Sequence, residues 1–523
     1  METPNEKMFE DNITAWLVEH GGYNGPVKVG NEGDTQPDFD SSLGLDTAEL
    51  IAFIGTTQGD KWNKYIQLYG GDTNEVQKRF VRFVAANIDE RGTIDVLRNG
   101  VNDNGQTFAL AYPKPAQIFN IEGAKLYDTN RLTVTRQLYF DPHSNQSVDL
   151  ALFVNGLPVA TAELKNPFKN QTTANAVKQY QNDRDPTNLT LARRAIVHFA
   201  VDHSTVKMTT RLAGKKTRFL DFNLGAEHGA GNPANPAGYQ TFYLWERIWQ
   251  RDIWLDILGR FVHVEPDGTT IFPRYHQWDA VRSLAQRTLT DGPGTNYLVQ
   301  HSAGSGKSNT IAWLAYRLAN LHRDDTLLFD KIIVITDRVI LDKQLQDTIG
   351  QFEKVAGVVT KVDGTSKQLA DALISPSSRV IITTLQKFPH VLDAVGDLPN
   401  RNYAVIADEA HSSQTGGQAG HMVTALGQHD PDPEASEQIA DALAVSLVEE
   451  PLDPIEEALT KRIQSRGPQT NLSFFAFTAT PKAATLTLFG TPDPISGQPA
   501  ATHLYSMRQA IEEGFILDVL ANY

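Results

Sequence analysis

Short runs that alternate apolar and polar residues dominate the chain between residues 130 and 165, and this pattern predicts β-strands. The runs read "RLTVTRQLYF", "SVDLALFV" and "PVATAELK", and the last two flank Asn155-Gly156, a dipeptide that favours a tight hairpin turn. Two further strands are predicted at "RAIVHFAVD" and "VKMTTRL". This part of the chain therefore indicates a sheet that contains at least one hairpin.

A helix is predicted before the strands, within residues 1–20, because apolar residues recur there every three or four positions. A second helix is predicted over residues 241–262, where tryptophan and isoleucine follow the same spacing. We expect this second apolar stripe to pack between domains rather than to stack on bases. The stripe residues are Phe9, Ile13, Leu17 and Val18 in the first helix and Trp245, Trp249, Ile253 and Ile257 in the second.

Two polar segments predict loops. Residues 26–47 are rich in Gly and Asp, and residues 223–240 read "NLGAEHGAGNPANPAGYQ". The second segment is expected to be exposed and to lie at a domain edge.

After residue 270 short apolar runs alternate with helical segments. The runs are "NYLVQ", "KIIVITD", "RVIITTL", "YAVIADEA" and "LSFFAFTAT". This alternation is typical of a buried, mostly parallel sheet wrapped by helices, so the predicted fold class is α/β. A chain of 523 residues is too long for one core, and we expect two to four domains.

Composition narrows the class of protein. The chain has no cysteine, which excludes disulfides and thiolate chemistry and suits a cytoplasmic protein. No apolar run approaches the length of a membrane helix, so no membrane partner is expected. The net charge of −15 disfavours nucleic-acid binding by the chain as a whole. However, residues 421–460 hold ten Asp/Glu and no Lys/Arg, so that most of this negative charge lies in one stretch. Residues 161–260 carry fourteen Lys/Arg against nine Asp/Glu, either an ordinary solvated surface or a basic face.

A phosphate-binding loop is predicted between the strand "NYLVQ" and the helix that follows "QHSAGSGKSN". Glycines allow backbone N–H groups to turn toward phosphate oxygens, Lys307 can reach the terminal phosphates, and Ser308 can hold Mg²⁺. The usual first glycine of such a loop is His301 here. The predicted nucleotide contacts are Ala303, Gly304, Ser305, Gly306, Lys307 and Ser308.

Three further motifs fit the same nucleotide. Asp408 follows the strand "YAVIA" and is placed to hold Mg²⁺, and Glu409 can orient and deprotonate the attacking water. Thr478 and Thr480 end the strand "LSFFAFT" and can sense the γ-phosphate. The amide of Gln277, in "PRYHQWDAV", can read the adenine edge.

In this order and spacing, these motifs resemble the first RecA-like domain of a superfamily 2 helicase or translocase with a DEAH box that ends at His411. Residues 334–345 and 381–388 resemble the motifs that contact the nucleic-acid backbone in such domains. The resemblance implies ATP and Mg²⁺ as cofactors. No second RecA-like domain follows within 523 residues, so we expect an N-terminal portion that binds nucleotide with little turnover alone.

A second candidate site lies in the predicted hairpin, where Asp149 opens one strand and Glu163 and Lys165 end the other. Glu163 and Lys165 are two residues apart and share a sheet face. Two carboxylates and a lysine on one face can hold Mg²⁺ and a scissile phosphate, although a structural ion pair is the alternative. A regular two-residue turn would put Asp149 on the opposite face, so the sequence requires a bulge or an odd-length loop near Pro158.

The nuclease motif before a DEAH-type motor resembles the R subunits of type I restriction–modification enzymes. The resemblance is carried by "VLRNGV", "RLTVTRQ", "LFVNGLPVATAELKNP", "TTRLAG", "FPRYHQWDAVR", "QHSAGSGKSN" and "DEAHSSQTG". It implies a PD-(D/E)xK endonuclease domain over 1–235 with a restriction-endonuclease-like fold, a helical linker over 236–265 and a RecA-like domain over 266–523. It matches Asp149, Glu163 and Lys165 to the nuclease triad.

The same resemblance suggests further site residues. The backbone carbonyl of Leu164 would be another metal ligand, and Glu10 resembles an acidic residue that lines such sites, although an ordinary exposed helix acid is the alternative. Tyr180 fits a Gln-x-x-x-Tyr pair, but Ala176 stands where the glutamine is expected. Gln179 is the adjacent substitute, with a helix-surface role as the alternative.

The resemblance implies a subunit that translocates duplex DNA with ATP and cleaves unmethylated DNA away from the recognition site. Its partners would be double-stranded DNA and the specificity and methylation subunits. Two alternatives stay open: a superfamily 2 helicase whose N-terminal domain only binds DNA, and a docking scaffold that uses ATP as a structural ligand.

Overall fold

The computed structural model describes residues 6–30, 38–167, 171–336, 347–348, 350–351, 358–362, 366–383, 401–408, 470–493 and 496–516. The chain forms two compact units. The first comprises Met1–Asp279, His322–Thr326 and Arg508–Tyr523, and the second comprises Ala280–Leu321 and Leu327–Met507. Each unit is built around one large sheet, and the two are described separately below.

The α-helices in the described residues are between six and nineteen residues long. They are α1 (Glu6–Glu19), α2 (Thr47–Thr57), α3 (Gly59–Leu68), α4 (Thr73–Arg91), α5 (Thr93–Asn99), α6 (Ile121–Asp128), α7 (Thr173–Asn182), α8 (Arg251–Arg260), α9 (Tyr275–Asp291), α10 (Lys307–Ala319), α11 (Ser366–Ile374), α12 (Ala483–Phe489) and α13 (Met507–Glu512). Two π-helical turns occupy Thr190–Arg194 and Leu244–Ile248.

The strands are given in chain order, and all of those up to β13 belong to the first unit. They are β1 (Lys28–Val29), β2 (Phe39–Asp40), β3 (Leu45–Asp46), β4 (Val101–Asp103), β5 (Gln106–Phe108), β6 (Leu132–Tyr139), β7 (Ser147–Val154), β8 (Leu157–Leu164), β9 (Val197–Val201), β10 (Val206–Thr209), β11 (Leu220–Asp221), β12 (His263–Val264) and β13 (Thr270–Ile271). The later strands are β14 (Asn296–His301), β15 (His322–Arg323), β16 (Thr326–Leu327), β17 (Lys331–Ile335), β18 (Val359–Lys361), β19 (Val380–Thr383), β20 (Tyr403–Ala407), β21 (Leu472–Thr478), β22 (Thr491–Pro492), β23 (Pro499–Ala500) and β24 (His503–Tyr505).

The large sheet of the first unit has seven strands in the order β1-β6-β7-β8-β9-β10-β11. Strands β6, β7 and β8 are antiparallel neighbours, whereas β8 and β9 run parallel and are joined through α7. Every residue of β8 and all but the first of β7 are buried, as expected for strands covered on both faces. The strands predicted between residues 130 and 210 are therefore confirmed.

Helix α1 packs on this sheet through the predicted apolar stripe. Phe9, Ile13 and Leu17 are fully buried, and Val18 is half-buried. The helix also carries Glu10, which is only 4% exposed. An acidic residue next to a buried stripe is therefore held against the sheet rather than in solvent.

The large sheet of the second unit has the order β18-β19-β17-β20-β21-β14-β24, and each of its strand pairs is parallel. Isoleucine, valine and phenylalanine fill its buried strands, which accounts for the continuous apolar runs in the sequence. The predicted α/β class with a mostly parallel sheet is confirmed for this unit.

Three predictions of local structure need correction. Residues 26–47 are not one loop, because they contain β1, β2 and β3. The segment 223–240 has no helix or strand, but it is not fully exposed, since Asn223 and Asn232 are buried and hydrogen-bonded to each other. The predicted helix over 241–262 is divided into a π-helical turn and α8, because the side chain of Gln250 caps a new helix at Asp252 and Ile253.

The sequence predictions also omitted the helices α2 to α5, which lie between Thr47 and Asn99. Asp46 and Asp72 cap α2 and α4 through hydrogen bonds to backbone N–H groups. The three domain ranges predicted from the sequence stay a prediction.

Candidate functional site

The hairpin of β7 and β8 turns at Asn155-Gly156, where both residues have positive φ, of 51° and 84°. Such a turn suits the twist of the two strands. Gly156 is required there, because a Cβ atom would lie 2.3 Å from the backbone oxygen of Asp46. With this two-residue turn alone, the register would place Asp149 on the face of the sheet opposite to the face of Glu163.

A β-bulge two residues after the turn corrects this register. Val154 pairs with Leu157 and Phe153 pairs with Pro158, but Leu152 then pairs with Ala160, so that Val159 is the extra residue. From there the pairing is regular to Leu150 and Ala162. The next positions along the two strands are Asp149 and Glu163, which are therefore opposite each other. The predicted break in register is confirmed.

The bulge brings Asp149 to the end of β8. Its Oδ2 atom accepts a hydrogen bond from the backbone N–H of Leu164 at 2.7 Å and lies 3.7 Å from Lys165 Nζ. Lys165 Nζ also donates to the carbonyl oxygen of Leu164 at 2.8 Å. The structure thus brings together Asp149, the Leu164 carbonyl and Lys165.

Glu163 is fully buried beside them. Its Oε1 atom accepts hydrogen bonds from Arg184 Nε at 2.9 Å and Arg184 Nη2 at 2.7 Å. Its Oε2 atom is buried and has no hydrogen-bond partner among the described residues. Burial and the nearby charge of Asp149 raise the pKa of Glu163 well above its usual value, against the opposing effect of Arg184.

Glu10 joins this group from α1. Its Oε1 atom accepts from Gln137 Nε2 at 2.8 Å, and its Oε2 atom accepts from Arg136 Nε at 3.1 Å. Gln137 Nε2 also lies 3.3 Å from Asp149 Oδ1, so one amide group bridges two carboxylates. Burial and then the charge of Asp149 raise the pKa of Glu10 to about 7.

Gln137 adopts an unusual backbone conformation within β6, with φ of 48°. A non-glycine residue in the left-handed region is uncommon, and its cost of roughly 1–3 kcal/mol needs support from the surroundings. Here the neighbours Arg136 and Leu138 pair regularly with Leu150 and Val148, which flank Asp149. The strained residue therefore lies across from Asp149 and directs its amide toward that carboxylate.

Tyr180 lies behind the site in the core. Its hydroxyl is 2.8 Å from Thr161 Oγ1, and Thr161 is also 2.7 Å from His198 Nδ1. Burial raises the pKa of Tyr180 well above its usual value, with a further contribution from Glu163. Gln179 is half-buried on α7, and its side chain forms no hydrogen bond within the described residues, while Ala176 is fully buried.

Sequence reasoning missed three residues that contact the carboxylates of the site: Arg136, Gln137 and Arg184. Arg184 follows the end of α7, and no local pattern distinguishes it from a surface arginine. Gln137 stood within "RLTVTRQ", a segment already similar to a known family, but a positive φ is not visible in the letters.

A divalent cation fits this group of residues. Carboxylate and carbonyl oxygens are the ligands that Mg²⁺ prefers, and the buried Glu163 Oε2 lacks a partner. Among the described residues, no three His, Asp or Glu side chains already form a ligand cluster. Arg136, Gln137, Arg184 and the Leu164 amide engage the other carboxylate oxygens.

The phosphate-loop candidate connects β14 to α10 in the second unit. Gly304 and Gly306 have φ of 72° and 77°, and α10 begins at Lys307, directly after Gly306. Lys307 Nζ donates to the carbonyl oxygen of His301 at 3.3 Å. Ala303, Gly304 and Gly306 are exposed, Ser308 is half-buried and Ser305 is buried. The backbone of this loop is therefore accessible to an anion at the helix N-terminus.

Parallel pairing places the other nucleotide-site candidates at the same edge of the sheet. Strand β21 lies between β14 and β20, with Gln300 opposite Thr478 and Ala407 opposite Ala476. Asp408 follows β20 and donates its backbone N–H to Ile335 at 3.0 Å. Thr478 is buried, and Thr480 is exposed.

The remaining motor candidates are not among the described residues of the second unit. Gln277 belongs to the first compact unit, where its Oε1 atom accepts from the backbone N–H of Arg274 at 2.9 Å. Glu409 and His411 lie outside the described residues, as do most of the two motifs at 334–345 and 381–388 and the acidic stretch 421–460.

Two family models match the chain. Residues 48–217 match the N terminus of type I restriction enzyme R proteins, and residues 276–431 match the SWI2/SNF2 ATPase. The first match includes the hairpin, Asp149, Glu163, Lys165 and Arg184. The second includes the phosphate loop and Asp408.

Curated relatives agree with these matches. An endonuclease subunit of a type I restriction enzyme from Staphylococcus aureus (strain COL) is 27% identical over 303 residues, which are 56% of this chain and 30% of that protein. The HindI endonuclease subunit from Haemophilus influenzae is 28% identical over 292 residues, which are 51% of this chain and 26% of that protein. The matched region thus spans less than a third of each relative.

A solved structure is also similar over part of its length. It is a fragment named as an HsdR subunit of a type I restriction enzyme from Vibrio vulnificus YJ016, with 15% identity and a TM-score of 0.28 over 73% of this chain and 56% of that chain. Such a TM-score does not support a shared fold. Separately, no helix in the described part of the chain has both the length and the hydrophobicity that a membrane crossing requires.

Proposed function

We propose that this chain, which belongs to the R subunits of type I restriction enzymes, carries an Mg²⁺-dependent DNA endonuclease site and an ATP-dependent motor site. The subunit would translocate duplex DNA and cleave unmethylated foreign DNA away from the recognition site. One observation carries the nuclease assignment: the bulge at Val159 puts Asp149 opposite Glu163 and next to Lys165.

In the nuclease site, Asp149, Glu163 Oε2 and the carbonyl of Leu164 would hold the cation. A bound divalent cation supplies Lewis-acid polarisation of the scissile phosphate and lowers the pKa of its water. Lys165 is 3.7 Å from Asp149 Oδ2, so its ammonium group can shift to the negative charge that develops on the phosphate. Tyr180 and Gln179 would act on the placement of α7 rather than on the phosphate.

In the motor site, Ala303, Gly304, Ser305, Gly306 and Lys307 would bind the phosphates of ATP. Ser308 and Asp408 would hold Mg²⁺, Glu409 would activate water, and Thr478 and Thr480 would respond to the γ-phosphate. Gln277 would read the adenine, and His411 would complete the DEAH box. The adjacency of β14, β20 and β21 supports this set, because parallel strands end at one edge.

The layout that fits these sites is an endonuclease domain over 1–235 with a restriction-endonuclease-like fold, a linker over 236–265 and a RecA-like domain over 266–523. The partners would be double-stranded DNA and the methylation and specificity subunits, in the cytoplasm. Contacts of the motor with DNA would be mainly to phosphates, so that sequence is read by another subunit.

The test uses the full-length protein reconstituted with its methylation and specificity subunits on unmethylated plasmid. We expect Lys165→Ala and Lys307→Ala both to abolish cutting, with DNA-stimulated ATP turnover surviving only in Lys165→Ala. Cutting by Lys165→Ala at the wild-type rate would reject the nuclease assignment and favour a helicase with an inactive N-terminal domain. Normal translocation by Lys307→Ala would reject the motor assignment and favour a scaffold.

A further inference from the structure

A buried ion pair in the nuclease site joins Glu163 to Arg184 at 2.7 Å. The side chains are 0% and 6% exposed, and two nitrogens of one guanidinium group bind a single carboxylate oxygen, Oε1. This leaves Oε2 without a partner in the described part of the chain. A carboxylate held in this way offers one oxygen, not two, to a cation.

Arg184 is itself fixed from other directions. Its Nη2 atom donates to the carbonyl oxygen of Ser147 at 2.6 Å, and its guanidinium group lies 5.5 Å from the ring centre of Phe140. The hydroxyl of Ser147 donates to Gln137 Oε1 at 3.0 Å. Arg184 therefore connects through Ser147 to the amide that bridges Glu10 and Asp149.

Each carboxylate of the site lies next to a cationic side chain. The pairs are Glu10 with Arg136 at 3.1 Å, Asp149 with Lys165 at 3.7 Å, and Glu163 with Arg184 at 2.7 Å, and Arg136 also pairs with the partly exposed Asp11. One divalent cation therefore enters a group in which most of the negative charge is already balanced. A second divalent cation would bring two more positive charges next to a buried arginine, which is strongly unfavourable at low dielectric.

From this geometry we propose that Arg184 takes the place of a second cation, so that the site binds a single divalent cation through Glu163 Oε2 and Asp149. Arg184 is a positioning residue, since it acts through Glu163 and not on the phosphate. This inference rests on the proposed nuclease function and adds the number of cations and the residue that sets it.

The test counts bound Mn²⁺ in the full-length protein by calorimetry without nucleotide, with Glu163→Gln as the background for sites elsewhere. We expect one equivalent in the wild type. Arg184→Gln keeps a hydrogen-bond donor but removes the charge, so we expect a second equivalent or about tenfold tighter binding, together with slower DNA cleavage. Arg184→Lys keeps the charge and should retain one equivalent.

Arg194 provides the matched control. It is 1% exposed and pairs with Asp89 at 2.7 Å, away from the three carboxylates, so Arg194→Gln should lower stability and leave Mn²⁺ binding unchanged. A merely structural role for Arg184 would give the same result as this control.

Two outcomes would overturn the inference. In the first, the Arg184→Gln variant binds one Mn²⁺ with wild-type or weaker affinity. In the second, the wild-type protein binds two Mn²⁺ after subtraction of the Glu163→Gln background, a result that does not depend on whether an Arg184 variant folds. In either case loss of cleavage in Lys165→Ala would still support the proposed function, so the two failures are distinguishable.

Discussion

The carboxylate of Asp149 accepts a hydrogen bond from the backbone N–H of Leu164 across the β7–β8 hairpin, with a distance of 2.7 Å. This bond exists because a bulge accommodates the extra residue Val159 between the turn and the site. The placement of Asp149 opposite Glu163, and next to Leu164 and Lys165, thus depends on a local irregularity ten residues or fewer from each of these four residues.

Deletion of Val159 should therefore leave nuclease activity largely intact. Without the extra residue, regular pairing from the Asn155-Gly156 turn still places Leu152 opposite Ala160 and Asp149 opposite Glu163, as the bulge does in the intact chain. We expect cleavage by the reconstituted enzyme within about tenfold of the wild-type rate. ATP turnover by the same complex reports whether the motor is intact, and a deletion variant that keeps ATP turnover but no longer cuts DNA would contradict this account of the register.

Substitution of Gln137 should separate backbone strain from side-chain function. Both Gln137→Gly and Gln137→Ala lose the amide that bridges Glu10 and Asp149, so we expect similar decreases in cleavage, about tenfold or more. Only alanine keeps the cost of a positive φ, so Gln137→Ala should be less stable than Gln137→Gly by about 1 kcal/mol. Urea denaturation measures the difference, and equal stability of the two variants would argue against strain at this position.

The stability of the first unit should decrease in acid because of His198. Burial lowers the pKa of this histidine to about 4, so the folded state binds fewer protons than the unfolded state, whose pKa is near 6.5. The stabilisation is present above pH 6.5 and is lost as the pH falls toward 4, by up to about 3 kcal/mol.

Comparison with His198→Gln isolates this contribution from those of other groups. The difference in the free energy of unfolding, wild type minus variant, should decrease as the pH is lowered from 6.5 to 4. A difference that stays constant over this range would show that His198 does not titrate as described.

Gly306→Ala should weaken nucleotide binding. Gly306 has φ of 77° at the start of α10, where a side chain strains the backbone by about 1–2 kcal/mol and displaces the N–H groups that face the phosphates. We expect at least a tenfold higher dissociation constant for a fluorescent ATP analogue, a measurement that needs no turnover. Gly497→Ala is the matched control, since Gly497 has φ of 69° and open space around it. Equal affinities of the two variants would refute the role of the loop.

The sequence predicted the part of the site that depends on nearby residues. The two-residue spacing of Glu163 and Lys165 predicted a shared face, and the parity of the hairpin required an irregularity before Asp149 could join them. The resemblance to R subunits, which the family matches confirm, added the functional context.

The contacts that complete the site could not be predicted, because they join distant segments. Arg184 reaches Glu163 across 21 positions, and Glu10 reaches Gln137 across 127. Neither pair follows a helical or strand period. The interruption near Gln250 was missed for a related reason, since the apolar stripe continues through it while a side-chain cap starts a new helix.

The bulge at Val159 also limits how the length of this hairpin can vary. While the bulge is kept, a single inserted or deleted residue between Asp149 and Glu163 reverses the face of one of the two carboxylates, whereas a change of two residues preserves it. Functional hairpins of this kind are therefore expected to differ in length by even numbers, unless an odd change is offset by the loss or gain of a bulge.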